Sequence, residues 1–388
     1  MLPFLAGIAL LLYRLGHRFG GPKYALLLVP IAFLDPVLAG QSALVGPDIP
    51  LAFFFLLAVE AFWGGNRWWA AVGVFGLCAI SMRGMMTAGA LFVWQALLQV
   101  SADRRQRSQL LRTGVLFLPG AAFAAWFLWW HQHAAGWTGF HADSPWAPAF
   151  ERAQGAGFLK NVLVLGWRWT DMGRVFEWAV LAVVVAAGGW RFLKKNTTDA
   201  AVQGHRSALA LLFLCLVVFL SPAALLYQNL SAHRYFLPGF LALHLLVFHF
   251  LSTSNGTFRR KSALFLVLLL GLGTGNYWIY PQGISMDWDA TLAHRPYHPL
   301  RAEMLHFVDQ EKIPLEGIGT AFPNVNTGDH LLLNGDHRKM AEKDFDRNDY
   351  ILISNVFNDF SKAEHNVLQR DWTPLKRLEN RGVWLELY

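Results

Sequence analysis

Hydrophobic and polar positions divide the chain into two unlike parts. Residues 1–280 are a succession of long, mostly apolar runs separated by short polar breaks. A run of about 18 or more apolar residues has the length of a membrane-crossing helix. The first run, and those near 24–45, 48–63, 68–82, 85–100, 110–130, 174–190, 207–227, 235–254 and 262–280, together predict about ten spans. The runs at 48–63, 68–82 and 85–100 are short and joined by tight turns. Residues 281–388 read as ordinary soluble sequence. A helix is predicted over 299–311, where Leu300, Met304, Phe307 and Val308 share a face. A second is predicted over 361–370, with Ser361 as its cap and Glu364 three residues later. Strands are predicted near 317–321, 330–333, 350–354 and 382–388. The expected fold is an α-helical polytopic membrane domain over 1–280, with a long loop at 131–174, followed by a small α/β soluble domain over 281–388.

Composition agrees with that division. The chain of 388 residues is 54% hydrophobic and 15% charged, with 17 Trp and 30 Phe. Soluble domains carry about 25% charged residues. The net charge of +7 does not point to nucleic acid. Most of the basic excess sits in short loops between apolar runs, where it sets topology. With the N-terminus outside, the groups Arg104, Arg105, Arg107, Arg112 and Arg191, Lys194, Lys195, Arg206 fall on the inner side, as do Arg259, Arg260 and Lys261. That register satisfies the positive-inside rule, and the reverse one opposes it. It places the 131–174 loop and the C-terminal domain on the outer side of a membrane, expected to be a bacterial inner membrane. Arg14, His17, Arg18 and Lys23 follow the first apolar run instead of preceding it, so that run reads as a membrane helix and not as a signal peptide.

Several function classes are unsupported. Cys78 and Cys215 each lie inside an apolar run, so neither a disulfide framework nor a CxxC metal site is available. No P-loop, HExxH, GxSxG or dinucleotide fingerprint is present, which argues against an ATP-driven pump, a zinc protease and a serine hydrolase.

The unusual residues collect on the expected outer side. The stretch Tyr227–Pro238 sets His233, Arg234 and Tyr235 in a row where the chain re-enters the membrane. Such groups are costly at that depth and usually have a task. They read either as a phosphate-binding cluster or as an interfacial Tyr beside a snorkelling Arg. Asp48, in Gly46-Pro47-Asp48-Ile49-Pro50, reads as a helix N-cap, as a pocket carboxylate, or as both. Arg83 reads as a surface Arg or as a grip for phosphate, to which a planar guanidinium is suited. Asp35 reads as a functional intramembrane carboxylate or, the favoured reading, as a buried carboxylate serving backbone groups freed by a kink at Pro36. His131 and His133 form an HxH pair that reads as a metal pair or, with no fixed third ligand, as ordinary histidines at a helix end; no cofactor is expected, and a divalent metal is possible but unsupported. Asp171, Glu177, Asp287 and Asp289 read as solvated carboxylates, and the loop's His141, Asp143 and Trp146 add further polar and aromatic groups. Residues 147–165 are predicted as an interfacial amphipathic helix.

Three passages carry a resemblance. Gly46-Pro47-Asp48-Ile49-Pro50-Leu51 is similar to an Asp-x-Pro-Leu motif at the start of a membrane helix. Arg83-Gly84 stands where the same proteins usually have Lys-Gly. His233-Arg234-Tyr235-Phe236-Leu237-Pro238 is similar to their Arg-Tyr-x-x-Pro. In order and membrane placement these resemble the GT-C superfamily of lipid-dependent glycosyltransferases, near the bacterial protein O-mannosyltransferases and the lipid A aminoarabinose transferase. The resemblance spans residues 1–297. It implies transfer of a sugar from a polyprenyl-phosphate donor to a lipid, glycan or protein acceptor on the outer face. It implies Asp48, Arg83, His233, Arg234 and Tyr235 as substrate-binding residues. Such enzymes begin with one more helix and an outer loop bearing an acidic base. This chain aligns from the second helix, so no residue inherits the base's role. Rival expectations are an inactive or truncated transferase homologue, and a non-enzymatic transporter or assembly subunit.

Overall fold

The computed structural model describes residues 1–100, 109–139, 141, 147–188, 200–228, 231–280, 288–329, 335–357 and 359–388. The predicted strand at 330–333, Asp143, Trp146, Asp287, Asn229, Leu230 and the basic groups at 104–107 and 191–195 lie outside them. The chain divides into two compact units, Met1–Asn276 and Tyr277–Tyr388.

The first unit is helical. Helix α1 (Leu2–Gly20) buries Ile8, Leu11, Leu12, Leu15 and Phe19, a stripe at helical spacing. The next apolar run does not form one straight helix. It gives α2 (Leu28–Leu34) and α3 (Pro36–Ser42), bent by 73°. Pro36 lacks the N–H that a continuous helix needs and opens the second piece. Asp35 caps that piece, its Oδ1 accepting the N–H of Val37 at 2.9 Å and of Leu38 at 3.2 Å. The role read for Asp35 in the sequence is therefore present. Helices α4 (Asp48–Gly64), α5 (Arg67–Ile80), α6 (Met82–Val100) and α7 (Gln109–Ala135) follow. Then come α8 (Ala156–Arg168), α9 (Val175–Gly188), α10 (Ala200–Leu226), α11 (Leu237–Thr253) and α12 (Phe258–Gly275).

Helix α11 is the centre of this unit. It is apolar all round and nearly every residue is buried, as such a helix requires. It packs on α1, α2, α9 and α10. Three described helical stretches, Leu110–Ala135, Val202–Leu226 and His233–Thr253, are long and apolar enough to cross a membrane. A fourth is added if the bent α2–α3 pair is one span. This fits a membrane protein. The count is lower than ten because several apolar helices are short. Helix α5 has 14 residues and α9 has 14, against the roughly 20 that a 30 Å core demands. The amphipathic helix expected over 147–165 begins later, at Ala156, after a short 3-10 turn at Ala147–Phe150.

The second unit is α/β. Helix α13 (Tyr297–Gln310) turns Leu300, Met304 and Val308 inward. Helix α14 (Lys362–Asp371) carries the predicted capping box. The Ser361 hydroxyl accepts the Glu364 N–H at 3.2 Å, and the Glu364 carboxylate accepts the Ser361 N–H at 2.6 Å. Strands β1 (Ile318–Thr320), β2 (Ala341–Glu342), β3 (Tyr350–Ser354), β4 (Lys376–Asn380) and β5 (Val383–Leu387) form one sheet in the order β2-β1-β3-β5-β4. The β1 pairings with β2 and β3 are parallel, and the β3–β5 and β4–β5 pairings are antiparallel.

The predicted strand at 382–388 is the second arm of a hairpin whose first arm, β4, was not predicted. Its two turn residues, Arg381 (φ 50°) and Gly382 (φ 79°), are both left-handed, the geometry of the tight hairpin turn that matches strand twist. A Cβ at position 382 would also lie 2.9 Å from Ile279 Cδ1. Replacing Gly382 by Ala is expected to cost about 1 kcal/mol. Amide exchange across 376–387 in the full chain should then rise about fivefold, with the α13 amides unchanged.

Candidate functional site

The geometry at Arg83 begins with the turn that places it. Helix α6 starts only two residues after α5 ends, and the two pack tightly from the first turn. A Cβ on Gly84 would fall 1.9 Å from the Leu77 carbonyl oxygen, so only glycine fits there. The Ser81 hydroxyl accepts the Gly84 N–H at 3.1 Å and fixes the start of α6. Arg83 is thereby aimed at the first turn of α4, where its Nη1 is ion-paired with Asp48 Oδ1. Helix α4 begins at Asp48 itself, and no side chain caps it. The N-cap reading of Asp48 is thus corrected. Its carboxylate is 2% exposed and is committed to Arg83.

The third segment is the 3-10 turn His233–Phe236, which leads into α11. Arg83 Nη1 also donates to the Arg234 carbonyl at 3.2 Å. The Arg83 guanidinium lies 4.8 Å from the centre of the Tyr235 ring, and that of Arg234 lies 5.6 Å from it. Both are cation–π distances. Asp48, Arg83, Arg234 and Tyr235 therefore converge, from three segments separated by long stretches of chain. These four side chains bring two guanidiniums and one carboxylate together. Arg83, Arg234 and Tyr235 are half-buried. An anion meeting this group would receive charge-assisted hydrogen bonds from planar donors.

His233 does not belong to this group. In a 3-10 turn successive side chains diverge by about 120°, so neighbours in sequence face different ways. The His233 side chain is fully buried, with Nε2 2.7 Å from Asp171 Oδ2. Arg168 joins this pair, 3.7 Å from Asp171, and its Nε donates to the Ser231 carbonyl at 3.0 Å.

From Asp171 a buried chain of charged groups runs on. Arg174 lies 3.8 Å from Asp171 and 2.8 Å from Asp35. Its guanidinium stacks 3.7 Å over the Phe240 ring. His244 Nε2 lies 3.5 Å from Asp35, and its Nδ1 is 2.6 Å from Glu177. Asp171 and Glu177, read in the sequence as solvated carboxylates, are buried at 3% and 0% exposure. The reading failed because both sit at helix ends, where charged residues usually meet water. Partners for them stand more than sixty residues away, at His233 and His244. Asp289 is half-buried in the second unit.

The turn that carries Asp171 and Arg174 is held by backbone contact. Met172 and Gly173 both have positive φ, 49° and 85°. A Cβ on Gly173 would lie 2.1 Å from the Gly271 carbonyl oxygen, and one on Gly275 2.0 Å from that of Met172. Glycines four apart on α12 thus receive the turn at backbone distance.

His131 and His133 stand near the C-terminal end of α7. His131 Nδ1 is 2.7 Å from the Trp137 carbonyl oxygen, and His133 Nδ1 is 2.8 Å from that of Trp129. Among the described residues no three His, Cys, Asp or Glu side chains gather as a metal site would need. An apolar recess of about 500 Å³ lies between α4 and α5, lined by Pro47, Phe54, Phe75, Gly76 and Ile80 among others. Along the chain it begins one residue from Asp48 and three from Arg83. No family model, curated protein or solved structure matches this chain.

The buried ion pair yields a test. Arg174→Gln leaves the Asp35 carboxylate buried without its guanidinium, which should cost about 3 kcal/mol or more of stability. The double variant Asp35→Asn/Arg174→Gln removes both charges and should recover a large part of that loss. Denaturant unfolding of the detergent-solubilised chain measures both. Additive losses would show that the pair is not coupled.

Proposed function

We propose that this chain is an integral-membrane glycosyltransferase. It would move a sugar from a polyprenyl-phosphate-linked donor to an acceptor on the outer face of the membrane. The observation that carries the reading is the convergence of Asp48, Arg83, Arg234 and Tyr235. These are the residues of the three passages that resemble GT-C transferases. The ten crossings, the bacterial inner membrane and the outward C-terminal domain belong to the same proposal.

The chemistry that such a site would assist is simple to balance. The acceptor hydroxyl attacks the anomeric carbon. The bond between that carbon and the phosphate oxygen breaks, and its electron pair leaves with the polyprenyl phosphate. The acceptor's proton passes to a base, to which no residue is assigned. As the bond breaks the phosphate gains negative charge. Two guanidiniums placed to meet it favour the transition state over the ground state. Asp48 positions Arg83 and does not itself meet the substrate. Tyr235 restrains both guanidiniums through its ring. The apolar recess beginning at Pro47 suits the start of a prenyl chain whose phosphate lies at Arg83.

One observation favours a second reading. The 73° break at Asp35, with Arg174, His244 and Glu177 gathered around it, is the kind of broken span found at transporter binding sites. Against it, Asp35 satisfies the freed backbone groups with its own carboxylate, so they are not offered to a substrate.

The distinguishing experiment is sugar transfer from a synthetic polyprenyl-phosphate sugar to membrane acceptors. Arg234→Ala should lower kcat/KM by about 100-fold or more, while membrane insertion stays intact. Arg234→Lys should restore only part, because Lys offers a point charge in place of a fork. Normal transfer by Arg234→Ala would sink the assignment. Proteoliposome uptake that depends on Asp35 and not on Arg234 would favour the transporter.

A further inference from the structure

A second candidate site lies apart from the Arg83–Arg234 group and does not depend on the transferase reading. We propose that the recess formed by residues 151–161 and Gln228 holds the headgroup of an anionic phospholipid.

Its depth is set by hydrogen bonds to the end of a span. Val202–Leu226 is long and apolar enough to cross a membrane. The Ala153 N–H donates to the Leu226 carbonyl at 2.9 Å, and the Gln228 N–H donates to the Glu151 carbonyl at 2.9 Å. Asn161 Nδ2 donates to the carbonyls of Leu225 at 3.0 Å and Tyr227 at 2.7 Å. The recess is therefore stapled where the span ends, which is where hydrocarbon gives way to headgroups.

Helix α8 supplies the apolar half of the argument. Phe158, Leu159, Val162, Leu163 and Trp167 are 44%, 62%, 42%, 69% and 52% exposed. Their spacing of one, three, one and four residues keeps them on one face of the helix. The opposite face, with Asn161 and Arg168, is buried. An exposed apolar face on a helix tied to the end of a span fits a helix lying in the bilayer interface. Lys160 stands at the edge of that face, and a lysine there reaches toward headgroups while its stem lies along lipid.

The polar half is the recess itself. It encloses about 600 Å³ and is lined by Glu151, Arg152, Gln154, Lys160, Asn161 and Gln228, with small residues between them. That volume suits a small ligand. The Glu151 carboxylate is taken up by Gln228 Nε2 at 3.0 Å. Arg152 and Lys160 have no ion-pair partner among the described residues. Two cations against one carboxylate leave +1, which a singly charged phosphodiester headgroup matches. The adjoining apolar face favours a lipid over a free anion, since only a lipid brings both chemistries together.

The test uses the full chain in detergent, titrated with phosphatidylglycerol, phosphatidylcholine or inorganic phosphate, and native mass spectrometry of the retained lipid. Phosphatidylglycerol should be retained about tenfold more strongly than phosphatidylcholine. The variant Arg152→Gln/Lys160→Gln should lose that preference. Lys339→Gln/Lys362→Gln removes the same charge from exposed positions of the second unit and should keep it. Equal retention of the two lipids by the unaltered chain would overturn the proposal without recourse to any variant. So would an equal loss in the control pair. Displacement of phosphatidylglycerol by millimolar phosphate would overturn it in favour of a free-anion site.

Discussion

The ion pair between Asp35 and Arg174 is the contact on which the first unit most depends. Both side chains are fully buried, and each has a second task. Asp35 caps the helix that restarts after Pro36. Arg174 stacks on Phe240 of the central helix and approaches Asp171. One interaction thus ties a broken span, the turn before α9 and the central helix α11 together. A buried pair is favourable only where the partners are held closely in place. The holding is done by backbone. Gly173 and Gly275 let the 171–174 turn sit directly on α12, and no larger residue could take either place without moving the turn. Removing one charge therefore loosens more than one contact.

The 3-10 turn His233–Phe236 separates two kinds of polar chemistry. His233 is drawn inward by Asp171 and becomes part of the buried network. Arg234 and Tyr235, the next two residues, stay with Arg83 and Asp48. A single 3-10 turn, by pointing consecutive side chains in different directions, gives structure to one side and a candidate binding group to the other. This explains why the positive residues there remain half-buried while the histidine is not accessible. It also gives Asp48 a clear role: its carboxylate is ion-paired with Arg83 and fixes that side chain in position.

Helix α8 shows how one amphipathic element joins both themes. Its buried face contributes Arg168 to the network, and its other face is apolar and exposed. The helix is fastened to the end of α10 through Asn161 and Ala153. The buried network therefore reaches the exposed apolar face of α8 through one continuous secondary-structure element.

Much of this was legible from residue order. The division between an apolar helical part and a mixed α/β part follows from the pattern of apolar runs. The Pro36 kink with its Asp35 cap follows from local chemistry, as does the Ser361–Glu364 box, because each involves residues within three positions of one another. The sequence suggested a grouping of Asp48, Arg83, His233, Arg234 and Tyr235 from their placement at the ends of apolar runs and from the resemblance, and His233 turns instead to Asp171. Strand β4 was not legible, because Lys376-Arg377-Leu378-Glu379-Asn380 offers one buried residue, Leu378, among polar ones. Its pairing comes from the turn at Arg381-Gly382 and from β5. The burial of Asp171 and Glu177 was not legible either. A carboxylate at a helix end looks the same in sequence whether water or a histidine faces it, and only the folding of distant segments supplies His233 and His244. The sequence by itself determined which segments are apolar, where they break and which polar groups stand at the breaks, since those depend on neighbours along the chain. The tertiary structure alone decided which of those groups face one another, because pairing of charges depends on distance in space and not on distance along the chain.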